Sequence, residues 1–319
     1  MPLREKQLIE RIRREAGRLS PRAGIGIGDD CAVLRLPPGH EALVTTDFSL
    51  EGVHFRREWH PAHAVGHRCL ARGLSDVAAM GGTPRAVFLS LALPGALPQS
   101  WVNDFVTGML ALARRYSVPL AGGDTAQSPG RILADIVVLG SVPAGQSILR
   151  SGAKPGHLVY VTGTLGAGLA DLRQLEQGKK LRPGRHRKHF YPEPRVAVGR
   201  ALREKELASA MIDISDGFST DLSHICEESK TGAIIYADSL PVARGLGKEG
   251  LQFALHGGDE YELLFTAPPD RRIPNQIAGV AITKVGEIVR GGKMRLVCHD
   301  GSQEPLIARG WQHFESSGQ

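Results

Sequence analysis

Cysteine is scarce and scattered. The 319-residue chain carries four (Cys31, Cys69, Cys226 and Cys298), and no two of them form a C-x-x-C pair. A zinc ribbon and a disulfide framework are set aside on that ground, and the usage fits a reducing cytoplasm. Long apolar runs are missing too: AVFLSLALP is the longest strongly apolar one, far short of the roughly 20 residues that a membrane-spanning helix needs. The opening MPLREKQLIERIRREAGRL sets Leu3, Leu8, Ile9 and Ile12 at helical spacing among charges. It predicts an amphipathic packing helix, not a secretory signal. The common nucleotide signatures are absent as well. No G-x-x-x-x-G-K-[ST] loop exists, since GLGKEG lacks both the spacing and the hydroxyl. No kinase HRD or DFG set occurs, and the glycines of GIGIGDD are not followed by the helix that a dinucleotide fingerprint requires. If ATP is used, a less common scaffold must hold it.

What is present is ordinary globular material, 42% hydrophobic and 23% charged, long enough for about two domains. Strands are predicted at 42–46, 86–93, 134–142, 158–163, 211–217, 232–237 and 261–267. They alternate with helices at 62–80, 100–116 and 218–229. The turn formers of 143–157 mark a boundary between a domain at 1–145 and one at 146–319. The pattern predicts an α+β class of mixed α/β character with two cores. The net charge of +6 equals the six cations of KKLRPGRHRK, residues 179–188. No aromatics interleave with them and Pro183-Gly184 breaks the stretch, so a solvated loop is expected and nucleic acid is not. His60, His63 and His67 are expected to be solvated at a helix start.

Acidic residues recur in one setting, at the end of an apolar run beside small or hydroxyl residues. GIGDD gives Asp29 and Asp30, VTTDF gives Asp47 after Thr45 and Thr46, and GLSDVAAMGG gives Asp76. LAGGDT gives Asp124, MIDISDG gives Asp213 and Asp216, and HGGDEYELLF gives Asp259 and Glu260. One such group is an ordinary turn or helix cap. Six, most of them after predicted strands, suggest strand ends that converge on a cleft. So much negative charge calls for hard cations, and magnesium bridging carboxylates to substrate phosphates is the natural one. The chemistry implied is phosphoryl transfer, which depends almost entirely on positioning and electrostatics.

The motifs also form an ordered set. GIGDDCAVL, TTDFSLEGVHF, LSDVAAMGG, GGDT, LRSGAKPGHLVYVTGTLG, MIDISDG and GGDEYELLFT follow one another, and GWQHF comes near the end. Together they resemble the thiamine-monophosphate kinase family, within the aminoimidazole ribonucleotide synthetase superfamily. The resemblance implies a two-domain fold in which an N-terminal mixed sheet pairs across a homodimer, followed by a C-terminal α/β sandwich. It implies a cytoplasmic enzyme that uses ATP and several magnesium ions to convert thiamine monophosphate to thiamine diphosphate, with ATP bound between the domains.

By the same resemblance Asp30, Thr45, Thr46, Asp47, Asp76, Asp124, Asp213 and Asp216 match metal positions. Tyr116, Gly123, Asp124, Arg150 and Ser215 match positions around ATP. His54, Asp259 and Trp311 match positions that contact thiamine monophosphate. Asp29 is expected to be a turn acid behind the ligands. The family often reads G-G-E-D-Y-E where this chain has Gly257-Gly258-Asp259-Glu260-Tyr261-Glu262, which leaves open whether Asp259 or Glu260 touches substrate. Two rival functions are weaker. A selenophosphate-forming relative wants a reactive cysteine in a glycine-rich loop, and Cys31 does not fit. A non-catalytic maturation scaffold has no need of so many carboxylates.

Overall fold

The computed structural model describes residues 3–17, 24–28, 30–312 and 314. Asp29 lies outside them. The first half runs α1 (Glu5–Ala16), β1 (Gly24–Ile25), β2 (Val33–Leu34), β3 (His40–Leu50), α2 (Ala62–Ala79), β4 (Thr83–Pro94), α3 (Gln99–Arg115), β5 (Leu120–Ser128) and β6 (Leu133–Pro143). The second runs β7 (Leu158–Thr162), α4 (Ala167–Glu176), α5 (Arg187–Phe190), α6 (Val196–Glu204), β8 (Ala210–Asp213), α7 (Phe218–Ser229), β9 (Gly232–Tyr236) and α8 (Gly250–His256). It ends with β10 (Leu263–Ala267), β11 (Gln276–Ile277), β12 (Val280–Val289), β13 (Met294–Val297) and β14 (Gln303–Pro305). Met1–Val77, Gly82–Gln146 and Arg182–Pro192 form one compact unit. Ala78–Gly81, Ser147–Leu181 and Glu193–Gln319 form the other. Among the described residues no helix is long and apolar enough to cross a membrane.

The first unit is built on a mixed sheet of order β3-β6-β4-β5, antiparallel except where β4 meets β5. Strict alternation makes it two-faced. Val87, Leu89, Leu91 and Leu93 of β4 and Ala134, Ile136 and Val138 of β6 are buried, and the residues between them are not. Val65, Leu70, Leu74 and Val77 give α2 a continuous apolar stripe, and α2 lies so close to β6 that a Cβ on Gly73 would sit 2.6 Å from Val138. The opposite face is open: Val44 is 68% and Phe48 54% exposed.

The histidines depart from expectation. His60 and His67 are buried and His63 half-buried, because a segment some 120 residues away packs on them. The Nε2 atoms of His60 and His189 are 3.0 Å apart, one ring donating to the other, and His67 Nε2 donates to the Pro192 carbonyl at 2.8 Å. Arg68 donates to the His189 carbonyl, and His63 meets the Tyr191 ring edge-on. Local spacing could not show a partner so remote. The basic stretch is likewise not one loop, since its end forms the short helix α5.

The second unit has one sheet of order β14-β13-β9-β12-β7-β10-β8, with β11 paired to β12. Only the β13–β9 pair in that order is parallel. Phe218, Leu222 and Ile225 of α7 pack into a core with Val159, Val161, Ile212 and Leu264 of the strands. Beside it lies an ion pair taken out of water. Arg195 Nε donates to Glu262 Oε2 at 2.7 Å and Arg195 Nη2 to Oε1 at 2.6 Å. The Thr162 hydroxyl adds a third bond to Oε2, and Glu262 is fully buried.

Candidate active site

Asp47 is not at a strand end but inside β3, which runs well past 42–46; Asp76 lies inside α2, as the helix expected at 62–80 has it; and Asp124 is inside β5, a strand that the sequence reading did not include. Alternation along β3 then decides what each residue faces. Thr45 and Asp47 lie opposite the buried Val138 and Ile136, on the helix-covered face, and the Thr45 hydroxyl donates to Asp76 of α2. Thr46 points to the open face, where its hydroxyl donates to Asp135 Oδ1 at 2.7 Å. Ser90 of β4 is in register with both Asp135 and Asp124, so those two acids share that face. Asp135 is a residue the sequence reading missed; its signal is one acid in the otherwise apolar strand ADIVVLGSV.

Gly123 serves packing between strands. It has φ +150°, and a Cβ there would stand 1.9 Å from the Leu89 carbonyl oxygen, which glycine alone tolerates. An apolar pocket of about 80 Å³ opens beside it, walled by Ile9 and Ile12 of α1 and Leu89 and Leu91 of β4, with Asp124 at its edge. Tyr116 caps the end of α3 and is half-buried. Asp30 is exposed. His54 accepts the Leu50 N–H on Nδ1 at 3.0 Å, so its neutral ring carries the proton on Nε2.

In the second unit the segment from Asp213 to Asp221 is the centre. Asp213 ends β8 and is buried, and Ser215 and Asp216 are half-buried in the turn into α7. Asp221, also missed by the sequence reading, folds back so that its Oδ2 accepts the Gly217 N–H at 3.0 Å and the Asp216 N–H at 3.2 Å. Burial holds the Asp221 carboxyl well above the usual carboxylate range, and the nearby charges of Asp213 and Asp216 push the same way. Ligand atoms of Asp216, Asp221 and His224 lie within 4.8 Å of one another. Among the described residues no second set of three histidines, cysteines or acids gathers as tightly. The donors here and on β3 and α2 are mostly carboxylates and hydroxyls, which suit a hard divalent cation such as magnesium and would be relieved of mutual repulsion by it.

Two arms hook onto this segment. The Asp259 N–H donates to the Ser215 carbonyl at 2.7 Å, and Asp259 takes a left-handed φ of +59°. The Trp311 N–H donates to the Asp216 carbonyl at 2.9 Å, leaving the residue 54% exposed. Glu260 turns the other way. It is buried, and its Oε1 accepts the N–H groups of Gly166 at 2.7 Å and Gly168 at 3.3 Å, a carboxylate at the start of α4. Tyr261, expected in a strand, also has a left-handed φ and precedes β10. Arg150 is exposed, while the Ser229 hydroxyl holds its carbonyl at 3.1 Å.

Comparison with known proteins follows the same lines. The chain matches the AIR synthase related protein N-terminal domain over residues 28–142 and the C-terminal domain over 154–299. It is 37% identical over 304 residues to thiamine-monophosphate kinase of Escherichia coli strain K12, covering 91% of this chain and 92% of that protein. The crystal structure of the Stenotrophomonas maltophilia K279a thiamine-monophosphate kinase superposes with a TM-score of 0.83 at 36% identity, covering 95% of this chain and 98% of that one. AaThiL complexed with AMPPCP and TMP gives 0.78 at 28% identity, covering 98% and 100%. Hydrogenase maturation protein HypE, at 18% identity and a TM-score of 0.80, shares the fold. The chain belongs to the thiamine-monophosphate kinase family of AIR synthase-related proteins.

Proposed function

We propose that the chain carries out its family's reaction, phosphorylation of thiamine monophosphate by ATP, as a direct transfer in which Asp30, Thr45, Thr46, Asp47, Asp76, Asp124, Asp213 and Asp216 hold magnesium. The observation that carries this reading is the Asp213–Asp221 segment, where buried acids and two arms matched to substrate meet on one turn. Magnesium bound there supplies positive charge that offsets the repulsion between two phosphate anions. Thr45 and Thr46 face opposite sides of β3, so ligation of one ion by both would take a main-chain oxygen from one of them. The acceptor phosphate is already ionised near neutral pH, so no strong general base is needed.

In this reading Arg150, exposed and held through its main chain, gives a bidentate donor to an ATP phosphate. Ser215, Tyr116, Gly123 and Asp124 serve the rest of the nucleotide, and the apolar pocket beside Gly123 suits the base. His54 donates from Nε2 to an anionic oxygen of thiamine monophosphate. Asp259, and not Glu260, meets the substrate, because Glu260 is committed to the start of α4. The protein is also proposed to act as a homodimer joined through the open face of the β3-β6-β4-β5 sheet, which leaves Val44 and Phe48 uncovered in a single chain.

Trp311 is assigned the thiazolium ring of the substrate. Stacking of a cationic ring on an indole contributes about 1–2 kcal/mol. Trp311→Ala is therefore expected to raise the KM for thiamine monophosphate several-fold to tens of fold and leave the KM for ATP in place. If the indole merely anchored the chain end, the variant would lose melting temperature while both KM values stayed put. Steady-state kinetics beside a thermal melt separate the two.

A further inference from the structure

Three consecutive amides of the segment that carries Trp311 donate to the start of α7. The Arg309 N–H reaches the Ser219 hydroxyl at 3.3 Å, the Gly310 N–H reaches Thr220 Oγ1 at 2.9 Å, and the Trp311 N–H reaches the Asp216 carbonyl. The approach is close enough that a Cβ on Gly310 would lie 2.2 Å from the Asp216 carbonyl oxygen and 2.6 Å from Thr220 Oγ1. Both hydroxyl residues are buried. Ser219 makes a second bond, at 2.8 Å, to Nδ1 of His256, which stands three residues before Asp259. Burial and the nearby Arg309 hold His256 below its ordinary value, so the ring is neutral. In either ring tautomer a lone pair of the Ser219 hydroxyl remains to accept the Arg309 N–H.

A packing role alone accounts poorly for this arrangement. A segment that needed only an anchor would bury its tryptophan, yet Trp311 is half exposed while the polar groups beneath it are enclosed. The hydroxyls fix the backbone and leave the indole face presented. We infer that Ser219 and Thr220 are positioning residues for the acceptor substrate, clasping residues 309–311 so that Trp311 is held in register with the Asp259 arm. The inference rests on the assignment of Trp311 to thiamine monophosphate. Neither residue touches substrate in this account. Their hydroxyls act through the main chain of the tail.

Thr220→Val keeps the shape and removes the acceptor, Thr220→Ser restores it, and Ser219→Ala removes the second clasp. Hydrogen exchange of residues 309–311 reads the clasp, and steady-state kinetics read its use. In Thr220→Val the Gly310 amide is expected to exchange faster and the KM for thiamine monophosphate to rise about three- to tenfold, the loss of one hydrogen bond. The KM for ATP and kcat at saturation should stay within about twofold, and Thr220→Ser should return both readouts to the parent values. Ser219→Ala should act in the same direction. Unchanged exchange in Thr220→Val overturns the clasp. Faster exchange with an unchanged KM for thiamine monophosphate, in a protein where Trp311→Ala does raise it, overturns the positioning role and leaves the Trp311 assignment standing. An unchanged KM in Trp311→Ala overturns that assignment and this inference with it.

Discussion

Asp47→Asn is expected to fold and to lose at least about a hundredfold in turnover, the scale on which a charge aimed at a phosphoryl transition state acts. The amide keeps the shape of the side chain inside β3, opposite the buried Ile136, and gives up only the charge. That charge matters locally even without a cation. Cys69, fully buried nearby, has its thiol pushed up to about 12, by burial first and in part by Asp47. With Asp47 holding magnesium as proposed, the magnesium concentration for half-maximal rate should rise together with the loss in kcat. Near-normal turnover with an unchanged magnesium dependence would reduce Asp47 to a strand residue.

The largest effect on stability is expected at Glu262. Its carboxylate takes two bonds from Arg195 and one from Thr162, with no exposure to water. Glu262→Ala leaves the guanidinium of Arg195 with its main counter-charge removed, and such losses cost about 3–5 kcal/mol. The double variant Arg195→Met/Glu262→Leu should recover much of that, because no charge is then stranded in the interior. Urea denaturation of the parent, the single and the double variant gives the comparison. A single-variant loss under about 1 kcal/mol would place the pair with ordinary surface ion pairs.

The elements with clean periodicity were legible. The stripe of Val65, Leu70, Leu74 and Val77 defines α2, and runs such as ADIVVLGSV define β6. β5 was not, because Gly122, Gly123 and Asp124 are turn formers in isolation. They become strand residues through parallel pairing with β4 and through the close approach of Gly123 to Leu89. β3 looked short for a related reason. Its polar Thr45-Thr46-Asp47 reads as a strand end, but a sheet with one open face can carry polar residues through its length. The buried histidines were misread because their partners, His189 and Pro192, come from the far half of the chain.

In the candidate site the types of residue were legible and their roles were not. Asp259 and Glu260 are adjacent and alike in the sequence. Only the left-handed turn at Asp259 and the two N–H groups at the start of α4 divide them. Asp221 was hidden inside a predicted helix, and its link to Asp216 and Gly217 depends on the tight turn before that helix. Trp311 was singled out from its motif, while the hydroxyls of Ser219 and Thr220 beneath it take up backbone amides of residues 309 and 310, a pairing that no side-chain pattern reveals.

Transfer of a phosphoryl group from ATP onto a phosphate acceptor can be read in a single measurement. The purified protein is incubated with ATP and magnesium, in one sample with thiamine monophosphate and in another with free thiamine, and the products are followed by phosphorus NMR. ADP and thiamine diphosphate are expected in equal amounts in the first sample, and no turnover in the second. ADP formation with free thiamine but none with thiamine monophosphate would contradict the proposed reaction.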